Sequence, residues 1–142
     1  MHRRFFSGFF AVAVAAGLVL GTEASAKSSR PSLGVRVSPR IAFSPVGVIA
    51  TAQLKGGEDS EEFYCLAIEW DWDDGSKSLQ DSDCEPFKPG TKIERRFTSQ
   101  HYYSRAGSYN IRARLKTSEK VVAQNSFRLT VRQGLPQGPG GQ

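Results

Sequence analysis

Five aspartates lie close together in the sequence, and their side chains are of the type that binds calcium. They are Asp71, Asp73, Asp74, Asp81 and Asp83. Carboxylate oxygens are the hard ligands that calcium takes in proteins, and Asp81 and Asp83 are spaced like alternate ligands of a calcium loop. No complete loop of the D-x-D-x-D-G-x5-E type is present. The segment therefore predicts either a calcium site in a calcium-dependent structural domain or a set of solvated acidic turns.

His101 is the other residue that could do chemistry, because a histidine next to carboxylates can transfer protons. The carboxylates available in the sequence are again those of Asp71, Asp73 and Asp74. No Ser/His/Asp or Cys/His set is indicated, and there is no glycine-rich phosphate loop. The pattern predicts a protein that is not an enzyme. A secreted hydrolase stays as an alternative, and it would need a pocket joining His101 to at least two carboxylates.

A third candidate site combines an aromatic residue with a basic stripe. Tyr102 precedes a strand on which Arg112, Arg114 and Lys116 alternate with apolar residues. Aromatic rings beside cations can bind sugars or anionic chains. The competing interpretation is an ordinary solvent-facing surface of an antiparallel sheet.

The charge is distributed unevenly along the chain, although the net formal charge is only +5. Residues 58–85 hold eleven acids and one base, whereas residues 86–142 hold eleven bases and two acids. The two segments either attract each other within the fold, or provide a calcium site and a surface for an anionic partner. An acidic polysaccharide or a phospholipid fits such a surface better than a nucleic acid does, if the protein is exported.

The first 26 residues have the three-part pattern of an export signal. Arg3 and Arg4 precede an apolar stretch, and the small residues Ala24-Ser25-Ala26 form a cleavage site. We expect a periplasmic or secreted protein with no stable membrane insertion after processing. Because exported proteins meet an oxidising compartment, we also expect a disulfide bond between Cys65 and Cys84.

The rest of the chain shows the period-two alternation of β-strands and no helical periodicity. Short β-rich runs separated by turn residues predict an all-β sandwich of about seven strands. The runs are residues 33–38, 41–43, 46–54, 63–72, 91–99, 108–116 and 121–131. Asp-Gly at 74–75 marks a tight turn, Glu119-Lys120 a hairpin, and Asn125-Ser126 a β-bulge. The predicted organisation is a signal peptide at 1–26, a linker at 27–32, one domain at 33–132, and a disordered Gly/Pro tail at 133–142.

Two segments of this domain resemble the signatures of PKD (polycystic kidney disease) domains. Residues 70–76, Trp-Asp-Trp-Asp-Asp-Gly-Ser, resemble the W-D-F-G-D-G-S motif of that family. Residues 101–111 resemble the H-x-Y-x-x-x-G-x-Y-x-V motif that follows it in the family, with Ile111 in place of Val. The motif positions matched here are Trp70, Asp71, Trp72, Asp74, Gly75, His101, Tyr103, Gly107 and Tyr109.

The resemblance implies an Ig-like antiparallel β-sandwich in which these residues stabilise the fold and do not form an active site. Asp73 stands where the family usually has glycine, and Asp is among the residues that tolerate a left-handed backbone. Tyr109 is expected to act as a tyrosine corner, bonding a nearby backbone group. The resemblance further implies a non-catalytic module that contacts an unidentified protein or polysaccharide in the cell envelope or outside the cell, with no cofactor unless calcium binds.

Overall fold

The computed structural model describes residues 30–135, which form eight β-strands and one turn of 3₁₀ helix at Glu61–Phe63. The strands are β1 (Ser32–Ser38), β2 (Ile41–Ser44), β3 (Val46–Lys55), β4 (Ala67–Asp71), β5 (Lys77–Gln80), β6 (Arg96–Tyr103), β7 (Gly107–Lys116) and β8 (Val121–Gln133). Within this range no helix is long and apolar enough to cross a membrane. The predicted signal peptide at 1–26, linker residues 27–29 and tail residues 136–142 lie outside the described residues.

The strands form two sheets that pack face to face. The three-stranded sheet has the order β1-β3-β6, and the five-stranded sheet has the order β2-β8-β7-β4-β5. All neighbours are antiparallel except β2 and β8, which run parallel. This arrangement confirms the predicted Ig-like β-sandwich, with one parallel pair at its edge and one strand more than the predicted seven.

The core lies between the sheets because alternate residues of each strand are apolar and point inward. In the five-stranded sheet, Ile68 and Trp70 on β4 lie beside Leu115 and Ala113 on β7, and these four residues are fully buried together with Ile111. The three-stranded sheet contributes its own inward residues, among them Leu33, Val37, Val48, Ala50, Ala52, Leu54 and Phe97. The indole Nε1 of Trp70 has no hydrogen-bond partner among the described residues, so Trp70 stabilises the core through contact area.

Two strand boundaries differ from the prediction. Strand β4 begins at Ala67 and not at residue 63, because the 3₁₀ turn ends at Phe63 and Cys65 has a left-handed backbone with φ 58°. Strand β6 begins at Arg96 and not at residue 91, although Ile93 is buried as predicted. The loop before it is held by Arg95, whose guanidinium donates to the carbonyl oxygens of Gly56 and Gly57 at 2.9 and 3.3 Å.

Strand β5 was not predicted, because Lys77–Gln80 is too short and polar to show an alternation. It forms a hairpin with β4 across the turn predicted at 74–75, where the amide of Trp72 donates to the carbonyl of Ser76 at 3.2 Å. The hairpin at 119–120 is confirmed by the bond from the Thr117 amide to the Lys120 carbonyl. The predicted bulge at 125–126 is wrong: the register of β7 and β8 shifts between Leu115 and Lys116.

Candidate functional site

The two motif segments meet at one end of the sandwich in a ladder of aromatic rings. Trp72 follows β4 and stacks on Trp70 with ring centroids 5.4 Å apart, and its other face stacks on His101 of β6 at 4.5 Å. Tyr103 contacts His101 edge to face at 4.8 Å and Tyr109 of β7 at 4.1 Å. The ladder therefore joins the three-stranded sheet, through β6, to the five-stranded sheet, through β4 and β7.

The turn after β4 is fixed by two aspartates. Asp73 has a left-handed backbone, with φ 61°, and its Oδ2 accepts the amide hydrogen of Asn110 at 2.8 Å. Asp74 Oδ1 accepts from the amide of Ser76 at 3.0 Å and from its hydroxyl. Gly75 follows with φ 90°, a conformation that residues with a Cβ rarely adopt. Asp73 thus adopts the left-handed backbone that the turn requires at this position, and its side chain adds a hydrogen bond to β7.

His101 and Asp74 form the only histidine–carboxylate contact among residues 30–135. His101 Nε2 lies 2.7 Å from Asp74 Oδ2, and their side chains are 17% and 25% exposed. Burial raises the pKa of Asp74, but the hydrogen bonds from Ser76 and His101 outweigh it, so this pKa lies below its usual value. Asp74 is therefore ionised at neutral pH and suited to accept hydrogen bonds, which is opposite to what a general acid requires.

The hydrolase alternative needs a pocket that joins His101 to two carboxylates. The depression that His101 borders is about 590 Å³ and is lined by residues of β3 and β6 that carry no carboxylate. His101 is within hydrogen-bond reach of Asp74 alone. The histidine thus lacks the second acidic group and the enclosed site that the alternative requires.

Two tyrosine hydroxyls close the same end of the sandwich. Tyr103 is 1% exposed, and its hydroxyl donates to the carbonyl of Trp72 at 2.9 Å, which links β6 to the end of β4. Burial raises the pKa of Tyr103, and the nearby Asp74 carboxylate raises it further. Tyr109 donates to the carbonyl of Arg105 at 2.9 Å, the tyrosine corner predicted from the sequence. Its ring lies 3.3 Å from where a Cβ on Gly107 would be, so a larger residue there would require the ring to shift by a few tenths of an ångström.

The five aspartates considered for calcium are distributed over separate parts of the structure. Asp71 lies on β4, where its Oδ1 accepts from the amide of Asp73 and its Oδ2 is 4.0 Å from Arg112. Asp81 and Asp83 are exposed in the segment after β5. Within residues 30–135, no three His, Cys, Asp or Glu side chains are grouped so that they could hold a metal ion. A calcium site stays a prediction, and this geometry does not support it.

The predicted binding surface is divided between the two sides of the sandwich. Tyr102 is 59% exposed on β6 and faces outward from the three-stranded sheet, whereas Arg112, Arg114 and Lys116 face outward from the five-stranded sheet. These three cations pair with the acids of β4: Arg112 with Asp71 at 4.0 Å, and Arg114 and Lys116 with Glu69 at 3.5 and 2.9 Å. The prediction that they form one surface with Tyr102 is therefore wrong.

These ion pairs join the acidic segment of the sequence, residues 58–85, to the basic segment, residues 86–142. Strand β4 belongs to the acidic segment and β7 to the basic one, and they are neighbours in one sheet. The hydrogen bond from Lys116 lowers the pKa of Glu69, and the charges of Lys116 and Arg114 lower it further. The acids of β4 therefore pair with the bases of β7, as expected if the two segments attract each other within the fold.

The predicted disulfide bond between Cys65 and Cys84 is present. It ties the segment after β5 to the start of β4, over a sequence separation of 19 residues. Hydrogen bonds reinforce the attachment: the Tyr64 hydroxyl donates to the carbonyl of Glu85 at 2.8 Å, and the Ser82 hydroxyl donates to that of Leu66 at 3.0 Å. The long polar loop is thereby held against the sandwich.

The sequence interpretation missed the outward face of the three-stranded sheet. Arg36 on β1, Lys55 on β3 and Arg96 on β6 all point outward from it. No carboxylate lies within 4.0 Å of any of these side chains in the described part of the chain. The alternation within each strand predicts that these cations point outward, but only the order and register of the strands show that they lie on one surface.

Comparison with known proteins identifies the fold. No protein-family profile and no curated protein matches the sequence. Among solved structures, the chain is similar to the PKD domain of an M14-like peptidase from a Thermoplasmatales archaeon, with a TM-score of 0.52 and 14% identity over 75% of this chain and 99% of that one. It is also similar to the CARDB domain of a Pyrococcus furiosus protein, with a TM-score of 0.51 and 16% identity over 73% and 97% of the two chains. The chain has the Ig-like β-sandwich fold of a PKD domain.

Proposed function

We propose that the protein is a non-catalytic, exported module that binds a protein or a polysaccharide in the cell envelope or outside the cell. The coarser part of this statement, a non-catalytic β-sandwich module, agrees with the two structural neighbours, which are a PKD domain and a CARDB domain. Export is supported by the disulfide bond, because such bonds persist in oxidising compartments.

One observation carries the proposal: the groups that could transfer protons are used to hold the sandwich together. His101 stacks on Trp72 and contacts the ionised Asp74, while the hydroxyl of Tyr103 donates a hydrogen bond to a backbone carbonyl. These groups serve the packing between sheets, which leaves the exposed sheet surfaces as the places where a partner can bind.

Affinity capture tests this proposal. The tagged protein would be exported in its native cell, cross-linked mildly in the envelope, purified and analysed by mass spectrometry and sugar composition. A β-sandwich domain of unrelated sequence and similar net charge serves as the control bait. We expect a reproducible envelope protein or polysaccharide with this protein and not with the control.

A His101→Phe variant separates binding from catalysis in the same experiment. Phenylalanine keeps the ring that stacks on Trp72 and removes the nitrogen that contacts Asp74. We expect the variant to capture the same material as the wild-type protein. Capture of nothing above the control, or a hydrolytic activity that disappears in the variant, would contradict the proposed function.

A further inference from the structure

The outward strand residues of the three-stranded sheet include three cations and, within residues 30–135, no acid; Glu94, just before β6, accepts a hydrogen bond from the Arg96 amide at 2.9 Å. We call this surface the β1-β3-β6 face; its outward residues are Gly34, Arg36, Ser38, Gly47, Ile49, Thr51, Gln53, Lys55, Arg96, Thr98, Gln100 and Tyr102. The opposite side of the sandwich differs, because there Glu69 and Asp71 pair with the three cations of β7, although Arg128 and Arg132 of β8 form no ion pair within residues 30–135. The three cations of the β1-β3-β6 face therefore have no acid among the outward strand residues of their own sheet, and the sequence interpretation did not select this face.

Three neighbouring depressions run along this face and share lining residues. The first, about 610 Å³, is lined by Arg36, Lys55 and Arg96 around the site of Gly34, which has no side chain to fill it. The second, about 490 Å³, shares Arg36 with the first. The third, about 590 Å³, shares Ile49 with the second and is bordered by Tyr102. Together they make a shallow groove that follows the strands.

The register sets the length of this groove. Gln53 lies opposite Arg96 at one end, and Gly47 lies opposite Tyr102 at the other. Six residues of β3 separate these two rows, so the groove is about 20 Å long, at roughly 3.4 Å for each residue. A groove of this length is matched by a linear polymer and is longer than a single small anion requires.

We propose that this groove binds a linear acidic polysaccharide, an inference that rests on the proposed function of the protein as a binding module. The anionic groups of the chain would lie against Arg36, Lys55 and Arg96, and a sugar ring would pack on Tyr102. Threonine hydroxyls and glutamine amides between these positions match the hydroxyl groups of sugars. Besides Tyr102, Ile49 is the exposed large apolar side chain on this face, whereas a membrane surface would be contacted by several inserted apolar side chains. The hydroxyl and amide groups therefore favour a polysaccharide.

The test measures binding of oligogalacturonate by isothermal titration calorimetry at low ionic strength, with neutral dextran for comparison. The site variant is Arg36→Gln/Lys55→Gln/Arg96→Gln. The matched control is Arg112→Gln/Arg128→Gln/Arg132→Gln, which removes the same charge from exposed residues of the five-stranded sheet. Melting temperatures establish that both variants are folded, and the single change Arg36→Glu replaces the triple variant if that one does not fold.

We expect oligogalacturonate to bind the wild-type protein and the control, and to bind the site variant at least tenfold more weakly. Three cations are replaced together because each exposed ion pair contributes little to the binding free energy on its own. Dextran should not bind, and Tyr102→Ser should weaken binding without changing its salt dependence. Equal weakening in both triple variants would overturn the proposal, because net charge alone would then explain binding.

Two further outcomes would also overturn it. One is the absence of oligogalacturonate binding to the wild-type protein. The other is binding to phosphatidylglycerol vesicles that exceeds oligogalacturonate binding and is lost in the site variant, because the face would then serve a lipid surface. If either occurs while affinity capture still enriches an envelope protein, the proposed function stands and only the polysaccharide inference fails.

Discussion

Replacing His101 tests whether the histidine of the second motif stabilises the sandwich. Two interactions can be separated: the stacking on Trp72, with centroids 4.5 Å apart, and the 2.7 Å contact with Asp74. His101→Phe keeps the first and removes the second, whereas His101→Ala removes both. Gln100→Ala is the matched control, because Gln100 is the adjacent residue of β6 and its side chain faces solvent.

The expected magnitudes follow from the two interactions. A hydrogen bond to a charged group contributes about 1.5–3 kcal/mol, but partial exposure of both partners reduces this to about 1 kcal/mol. Stacking of two aromatic rings adds about 0.5–1.5 kcal/mol. His101→Phe should therefore lower the unfolding free energy by about 1 kcal/mol and His101→Ala by about 2 kcal/mol. For a domain of this size the melting temperature would fall by roughly 4 to 5 °C and 9 °C.

The pH dependence gives a second measurement of the same contact. The folded-state pKa of Asp74 is lowered, so its contribution to stability is complete above the unfolded-state value of about 3.9. The contribution is lost as the pH falls through the lower, folded-state pKa. Asp74→Asn should therefore lose stability at neutral pH and show a flatter decline of unfolding free energy as the pH falls below about 4.

Urea unfolding followed by tryptophan fluorescence measures these changes, at neutral pH and at a series of acid values. The structural account of His101 is refuted if His101→Ala is as stable as the wild-type protein. An Asp74→Asn variant whose unfolding free energy declines in acid as steeply as that of the wild-type protein would also refute it. So would a Gln100→Ala variant that loses as much stability as the His101 variants, because that change removes no packed contact.

Three further predictions concern the same end of the sandwich and the attached loop. Tyr103→Phe should cost about 1–2 kcal/mol, because the buried carbonyl of Trp72 loses its donor, whereas Tyr102→Phe should change thermal unfolding by less than about 0.5 kcal/mol. Asp73→Asn should be almost neutral in the same assay, since Asn tolerates φ near 61° and keeps an acceptor, while Asp73→Ala should cost about 1–2 kcal/mol; equal costs would contradict this. Replacing Cys65 and Cys84 with serine should lower stability by about 3 kcal/mol through the lost loop constraint, and an unchanged urea midpoint would contradict it.

The fold could be predicted from the sequence because its signals are local. The alternation of residues 66–72 places Trp70 and Trp72 on one face, and both are buried. His101, Tyr103 and Tyr109 were predicted to stabilise the fold, and their rings pack at the same end of the sandwich as Trp72. Local patterns fix which face of a strand is buried, and this information was sufficient for the class of fold.

The binding surface could not be predicted in the same way, because it depends on which strands are neighbours. Tyr102 and Arg112 are ten residues apart in the sequence, yet they lie on opposite sides of the sandwich. Conversely, Arg36 and Arg96 are far apart in sequence and line one depression, because β3 lies between their strands. The order of strands in a sheet is a long-range property that alternation within one strand does not encode.

The charge distribution also shows that a binding surface depends on which strands are neighbours. A run of like charges in a sequence indicates a charged surface only if the neighbouring strand does not carry the opposite charge. Here β4 brings Glu69 against Arg114 and Lys116, so these two bases are paired with an acid. Strand β3 has no acid to place beside Arg36 and Arg96, and Lys55 at its end adds a third cation. These three cations form no ion pair in the described part of the chain, so the β1-β3-β6 face should attract an anionic partner.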